Sequence, residues 1–310
     1  MSDAIDVRGL GRRFGSFEAV TDLSFSVEQG EIFGFLGANG AGKSTTIRML
    51  CGLLTPTTGT ALVGGIDVGK NPEGVKRIIG YMSQRFSLYE ALTVNQNIRF
   101  FGGIYGIAKD RLEARRAFVL EMAGLEGREN TLTGDLPGGW RQRLALGCAI
   151  LHEPKIVFLD EPTGGVDPLS RRRFWDLIGD LSRQGVTVLV TTHYLDEAEH
   201  CHRIAIIQAG QLAALGTATE LKQAFAQRPI VEIHAMKPVE AMEILDADDR
   251  VEKTSLFGTA VHAVMKNVST DPNVLLADLR AKGIDVASIE SVSPSLEDVF
   301  LDVVERVGAA

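Results

Sequence analysis

The run Gly37-Ala38-Asn39-Gly40-Ala41-Gly42-Lys43-Ser44-Thr45 follows the apolar stretch Ile32–Leu36 and opens a segment of helical character, Thr46–Leu53. Such a run works only where a strand turns into a helix. Its glycines let the backbone curl with several amides facing inward, and the helix N-terminus adds a partial positive charge. The run therefore predicts a phosphate cradle on an α/β sheet, formed by Gly37, Asn39, Gly40, Ala41, Gly42, Lys43, Ser44 and Thr45. Lys43 would reach the β- and γ-phosphates of ATP, and Ser44 the accompanying Mg²⁺. An ordinary glycine-rich turn does not require Lys-Ser at this offset.

A second centre lies at Ile156-Val157-Phe158-Leu159-Asp160-Glu161, where an apolar run delivers two acids at its end. Ligands collect at the carboxyl ends of strands in open parallel sheets. Asp160 is expected to hold Mg²⁺ and Glu161 to polarise an attacking water, because phosphoryl transfer depends on positioning and charge neutralisation. Acids often end strands merely to meet solvent, so the pair gains its meaning from the loop at 37–45.

Further apolar runs, such as Val186–Val190, alternate with helical periodicity, the pattern of an α/β sheet domain. Between Thr93 and Asn130 the strands stop and the chain becomes charged and helical, with Lys109, Asp110, Arg111, Glu113, Arg115 and Arg116 close together. This predicts an inserted helical subdomain at about residues 85–150, its charges forming a solvated face. Near Gln227, Arg228 and Pro229 the pattern changes. Strand-like runs at Ile230–His234, Ala260–Met265 and Val286–Ser291 then alternate with short helices, predicting a small α+β domain of ferredoxin-like type at 229–310 after a nucleotide domain at 1–225. Pro294, Ser295 and Asp298 announce its last helix through a capping-box-like spacing. At 310 residues, 45% of them hydrophobic, the chain can bury both cores.

The net charge of −8 disfavours nucleic acid as a partner, since phosphate neutralisation needs a basic surface. Three widely spaced cysteines, Cys51, Cys148 and Cys201, make neither a disulfide framework nor a paired zinc pattern and fit a reducing cytoplasm. The N-terminus has no apolar stretch of signal-peptide length, and no uncharged apolar run could span a bilayer. If the protein serves a membrane, another chain spans it. His200-Cys201-His202, beside His193, lacks the fixed ligand spacing of a zinc site and is read as unligated.

The order of the remaining motifs separates one class of nucleotide hydrolase from another. Gln84 follows Ile78–Met82, Leu136-Pro137-Gly138-Gly139-Trp140 precedes a helix and the Asp-Glu strand, Asp167 follows Glu161, and His193 ends the run Val186–Thr192. Over about the first two-thirds of the chain, this ordered set resembles the nucleotide-binding subunits of ATP-binding-cassette (ABC) transporters. The resemblance implies a P-loop NTPase cassette and a head-to-tail dimer, each ATP lying between one subunit's phosphate loop and the other's signature segment, here Leu136–Trp140. It implies that Phe14 stacks on adenine, that Gln84 touches Mg²⁺ and the water, and that His193 contacts the γ-phosphate. Gly138, Gly139 and Asp167 would complete the nucleotide site. The implied partners are an integral membrane permease and a second ATP-binding subunit, identical or not, with the chain peripheral on the inner face of the membrane. Ser293-Pro294-Ser295-Leu296-Glu297-Asp298-Val299-Phe300 is similar to the ending of daunorubicin-resistance-type export ATPases, and Arg85-Phe86-Ser87-Leu88-Tyr89 points the same way. Phe86 and Leu88 fit a permease-facing surface and the subdomain core equally well.

One departure stands out. The family places serine where this chain has Pro137, and proline cannot donate the serine's hydrogen bond to the γ-phosphate. Proline suits a first helical turn, which would leave the Gly138 and Gly139 amides facing the phosphate. Two other readings compete with an exporter subunit. Soluble cassette ATPases acting on ribosomes or DNA usually carry two cassettes or a long coiled coil, neither of which is present. A metabolic kinase has no use for the segment at 136–140 or for His193.

Overall fold

The structure, a computed structural model, describes residues 3–84, 88–268 and 271–308. The chain divides into two compact units, Met1–Thr217 and Ala218–Ala310.

In the first unit, β1 (Ile5–Phe14) and β2 (Phe17–Val27) form an antiparallel pair. Next, β3 (Ile32–Leu36) leads through the glycine-rich loop into α1 (Lys43–Leu50). Then β4 (Thr58–Val63) and β5 (Ile66–Asp67) complete a four-stranded sheet of order β2-β1-β4-β5. After α2 (Pro72–Ile78) and β6 (Ile79–Met82) come three helices, α3 (Val94–Ile104), α4 (Lys109–Ala123) and α5 (Gly138–Ala149). The unit closes with β7 (Ile156–Asp160), α6 (Pro168–Arg183), β8 (Thr187–Thr192), α7 (Leu195–Ala198), β9 (Arg203–Gln208) and β10 (Gln211–Gly216).

The six-stranded sheet has order β10-β9-β3-β8-β7-β6, parallel throughout except for β10 at one edge. Every residue of β3, β7 and β8 is buried. This explains why these strands read as continuous apolar runs rather than alternating ones. The core between the two sheets is organised by Phe25, Phe33 and Phe35, with Phe25–Phe33 stacked at 5.3 Å and Phe25–Phe35 edge-on at 5.1 Å. Ile47, Met49 and Leu50 of α1 join this cluster, so the helix that carries the phosphate loop is anchored by burial worth roughly 1.5–3 kcal/mol per large side chain.

The four-stranded sheet was not anticipated from sequence. The pairing of β1 with β2 shifts register three times, which breaks the alternation a sequence reading depends on. The charged run on α4 also differs from a uniformly solvated face. Lys109, Asp110, Arg111 and Glu113 are exposed, but Arg115 turns inward, and its Nε and Nη2 donate to the carbonyls of Leu151 and Ile150 at 3.0 and 3.1 Å. Those carbonyls lie just past the end of α5, where intrahelical partners run out. Leu88 is buried, as the core reading requires, whereas Arg85, Phe86 and Ser87 lie outside the described residues.

The second unit begins with α8 (Ala218–Lys222) and continues as β11 (Ile230–Ala235), α9 (Pro238–Asp246), β12 (Val251–Phe257), β13 (Ala260–Met265), α10 (Pro272–Ala281), β14 (Val286–Val292) and α11 (Leu296–Gly308). The antiparallel order β12-β13-β11-β14 with this βαββαβ succession is the ferredoxin-like arrangement. One face of the sheet, with Val231, Ile233, Val261, Ala263 and Met265, packs on Leu245, Leu275 and Leu279 of α9 and α10. α8 packs on α11, within the unit that starts at Ala218. Ser295 caps α11 reciprocally: Asp298 N donates to Ser295 Oγ at 3.1 Å and Ser295 N to Asp298 Oδ2 at 2.8 Å. Strand β12 went unread because it lies at a sheet edge and only Val251 is fully buried. No helix among the described residues is long and apolar enough to cross a membrane.

Candidate active site

The carboxyl ends of β3, β7 and β8 meet around the glycine-rich loop. Gly40 and Gly42 have φ of +84° and +104°, which side chains resist, and a Cβ on Gly42 would stand 2.7 Å from the Ala19 carbonyl. The loop thus closes against β2 with no room for larger residues. α1 starts at Lys43 with no side-chain cap. Its first amides have no acceptor within the helix.

Lys43 is buried, and its ammonium donates to the carbonyls of Gly37 and Ala38 at 2.7 and 3.1 Å. Glu161 Oε1 lies 3.5 Å from Nζ. Burial lowers the Lys43 pKa, while the charges of Glu161 and Asp160 oppose that fall. Ser44 Oγ donates to Asp160 Oδ1 at 3.0 Å, and Thr191 Oγ1 donates to the same oxygen at 2.7 Å. Asp160 is 1% exposed. A hydroxyl and a carboxylate converging beside the loop are the oxygen donors a hard divalent cation takes, so these residues fit Mg²⁺.

Glu161 occupies the left-handed backbone region, with φ +48°. A non-glycine residue there carries strain, which structure retains mainly where it aims a functional group. Its amide donates to Thr191 Oγ1 at 2.8 Å, and its carboxylate receives Gln84 Nε2 at 2.9 Å and stands 3.5 Å from His193 Nδ1. Lys43, Ser44, Gln84, Asp160, Glu161 and His193 therefore form one contact chain. A cleft of about 390 Å³ opens over it, lined by Asn39, Gly40, Gly42, Lys43, Ser44, Thr45, Gln84 and Glu161 together with Phe17. That volume is within the range typical of small-molecule sites.

Gly138, Gly139 and Asp167 belong to a second cluster. Asp167 caps α6 by accepting from Ser170 N at 3.0 Å, and a Cβ on Gly139 would meet Ser170 Oγ at 2.3 Å. The starts of α5 and α6 are thus pressed together at a glycine. Pro137 is exposed in the capping position (φ −54°, ψ 148°), one residue ahead of the first turn expected for it, and supplies no cap.

The expected adenine partner, Phe14, is 45% exposed and lies under the Arg12 guanidinium at 4.6 Å, and it is not among the residues lining the cleft. Phe17, opposite Phe14 across the turn of the β1–β2 hairpin, is the aromatic on that wall. Sequence reasoning passed over it, although the intervening Gly15-Ser16 marked a hairpin turn. It also passed over Thr191, a polar residue inside an otherwise buried strand. In the triplet near His193, His202 Nδ1 accepts from Ile32 N, Cys201 packs on Gly34 and His200 stacks on Trp175, so the three side chains serve different neighbours.

A profile of the family described as ABC transporter matches residues 20–164, and one described as the C-terminal domain of DrrA1-3-like ATP-binding proteins matches residues 216–304. The probable multidrug ABC transporter ATP-binding protein YbhF of Escherichia coli (strain K12) is 50% identical over 218 residues, covering 70% of this chain but 38% of the relative. The chain thus spans well under half of that protein. The daunorubicin/doxorubicin resistance ATP-binding protein DrrA of Streptomyces peucetius is 37% identical over 314 residues, covering 96% of this chain and 91% of the relative. A solved dimeric ATP-binding cassette in a post-hydrolysis state with ADP and Pi aligns with TM-score 0.63 and 25% identity, covering 69% of this chain and 98% of that one. On these likenesses, and on the ordered motifs now seen in place, the chain belongs to the ABC transporter ATP-binding proteins, within their daunorubicin-resistance-like drug-export branch.

Proposed function

We propose that this chain is the ATP-binding and ATP-hydrolysing subunit of a membrane exporter, acting on the cytoplasmic face with a separate integral membrane permease and a second ATP-binding subunit. The observation that carries the reading is the contact chain from Lys43 through Glu161 to Gln84 and His193, beneath a cleft floored by a phosphate-cradling loop. The backbone amides at the start of α1 and the Lys43 ammonium bind the phosphates. Ser44 and Asp160 would hold Mg²⁺, which when bound neutralises phosphate charge. Glu161 accepts a proton from the attacking water, Gln84 orients that water, and His193 donates a hydrogen bond toward the γ-phosphate.

Gly138, Gly139 and Asp167 serve the nucleotide of the partner subunit in a head-to-tail dimer, and Phe14 stacks on adenine. ATP closes the dimer, closure moves the permease, and hydrolysis resets it. The cargo is a drug, lipid or other hydrophobic small molecule, a reading supported by the resistance and multidrug names of the relatives.

Two measurements test this. Phosphate release from MgATP by the purified chain should fall about 10²–10⁴-fold in Glu161→Gln, with ATP still bound. Mild-detergent extraction of host membranes should recover the tagged chain with a polytopic membrane protein. Recovery only in the soluble fraction, with ribosomes or DNA-processing proteins, would overturn the exporter reading and leave the ATPase chemistry standing.

A further inference from the structure

Glu197, on the short α7, is 1% exposed and is not among the residues lining the cleft. Its two carboxylate oxygens are shared between two segments that are distant in sequence. Oε1 accepts from Thr163 Oγ1 at 2.6 Å, and Oε2 accepts from Thr192 Oγ1 at 2.7 Å. The Arg171 guanidinium lies beside it, with Nε 3.3 Å from Oε1 and Cζ 4.0 Å from the centroid of the Tyr194 ring.

Each hydroxyl fixes a turn that ends in a residue of the site. Thr163 follows the strained Glu161 by two positions, and its carbonyl accepts from Val166 N at 3.2 Å to close the turn leading to Asp167. Thr192 immediately precedes His193, and its Oγ1 also accepts from Tyr194 N at 2.9 Å, fixing the backbone on both sides of the histidine. A carboxylate buried from water is a strong, directional acceptor, and two short bonds to it hold both turns in register.

Resting on the assignment of Glu161 and His193 proposed above, we propose that Glu197 is a positioning residue: it ties the turn after Glu161 to the end of β8, and so sets the 3.5 Å approach of His193 to Glu161. Arg171, on the helix capped by Asp167, brings the start of α6 into the same tie. A shift of this turn would reach Glu161, His193 and the Asp167 cap together.

The test separates a hydrogen-bonding role from a packing one. Thr163→Val keeps the buried volume and deletes the donor, whereas Thr163→Ser keeps the donor and deletes a methyl group. Positioning through Glu197 predicts that Thr163→Val and Glu197→Gln lower kcat by about 10²-fold. KM for ATP should stay within about twofold, and Thr163→Ser should retain wild-type kcat. It also predicts that the His193 imidazole resonances of the nucleotide-free chain move in Thr163→Val and Glu197→Gln but not in Thr163→Ser. That second readout holds whether or not the chain hydrolyses ATP. An inactive wild type sinks the ATPase reading, whereas unmoved His193 resonances sink the role of Glu197. Wild-type kcat in Thr163→Val with a loss in Thr163→Ser would assign the position to packing and overturn the proposal. If Glu197→Gln melts too low to assay, the Thr163 pair alone decides.

Discussion

Ser44 and Asp160, 116 residues apart in the chain, are joined by a 3.0 Å hydrogen bond from hydroxyl to carboxylate. It connects the first turn of α1 to the last residue of β7, the junction where Mg²⁺ would sit. Ser44→Ala leaves a carboxylate still engaged by Thr191 but removes one oxygen donor. We expect ATP binding without Mg²⁺ to be nearly unchanged. The tightening produced by adding Mg²⁺ should shrink by about 10- to 150-fold, the weight of one hydrogen bond to a charged group. Calorimetric titration with and without the metal checks this, and equal losses in both would place Ser44 on the nucleotide instead.

What could be read in advance divides along physical lines. Strands β3, β7 and β8 are buried on both faces, so their apolar runs survive as sequence signals, and the motifs at their ends are contiguous. The loop at 37–45 and the Asp160-Glu161 pair were legible for that reason, and the capped start of α11 through the local spacing of Ser295 and Asp298. Phe17, Thr191 and Glu197 were not, because each acquires its place through tertiary contact: a hairpin partner, a shared carboxylate oxygen, two threonines from separate turns. Arg115 belongs with them, since nothing in a charged run says which cation will turn inward to cap a helix.

The two aromatics of the β1–β2 hairpin make opposite predictions. If Phe14 stacks on adenine, Phe14→Ala weakens ATP binding by about 1–3 kcal/mol, or roughly 5- to 150-fold, the range for base–aromatic stacking. Phe17→Ala would then have little effect, since Phe17 is 64% exposed and would serve only as cleft wall. Fluorescent ATP-analogue titration of the two variants decides, and a loss confined to Phe17→Ala would transfer the stacking role to it.

In the second unit, His262 is held by Asp298 Oδ1 at 2.9 Å and Glu232 Oε2 at 3.0 Å, with its ring stacked on Phe257. Burial opposes its charge, and the hydrogen bonds and charges of the two carboxylates outweigh it, so its pKa stands above the ordinary imidazole value. A raised folded pKa contributes stability that is full below about pH 6.5 and is lost as pH rises through the folded value. Asp298 is shifted the other way: burial is outweighed by its bonds to His262 and Ser295, so its contribution is lost only in acid. Thermal melts from about pH 5 to 9 should show this unit weakening on the alkaline side. His262→Gln should flatten that slope and cost about 3 kcal/mol near pH 6, the lower end for breaking a buried ion pair. A slope that survives in His262→Gln would assign the titration to another group.

Pro137 stands in the capping position of α5 without a capping hydrogen bond, ahead of a half-buried Gly138 and a buried Gly139. A serine hydroxyl there could do two things at once, accepting from a first-turn amide and donating to the γ-phosphate of the nucleotide held by the partner subunit. The cap contributes about 0.5–2 kcal/mol to the helix, and the phosphate bond about 10- to 150-fold in affinity across the dimer. Pro137→Ser should therefore raise both ATP-driven dimerisation and turnover, and the melting temperature should rise even without nucleotide. If melting rises but turnover and dimerisation do not, the serine caps the helix without reaching the phosphate. The Gly138 and Gly139 amides would then already supply what the site needs, and the idea that proline weakens it fails. If turnover rises only when a different ATP-binding subunit is present, the chain works in a heterodimer whose second site is the stronger one.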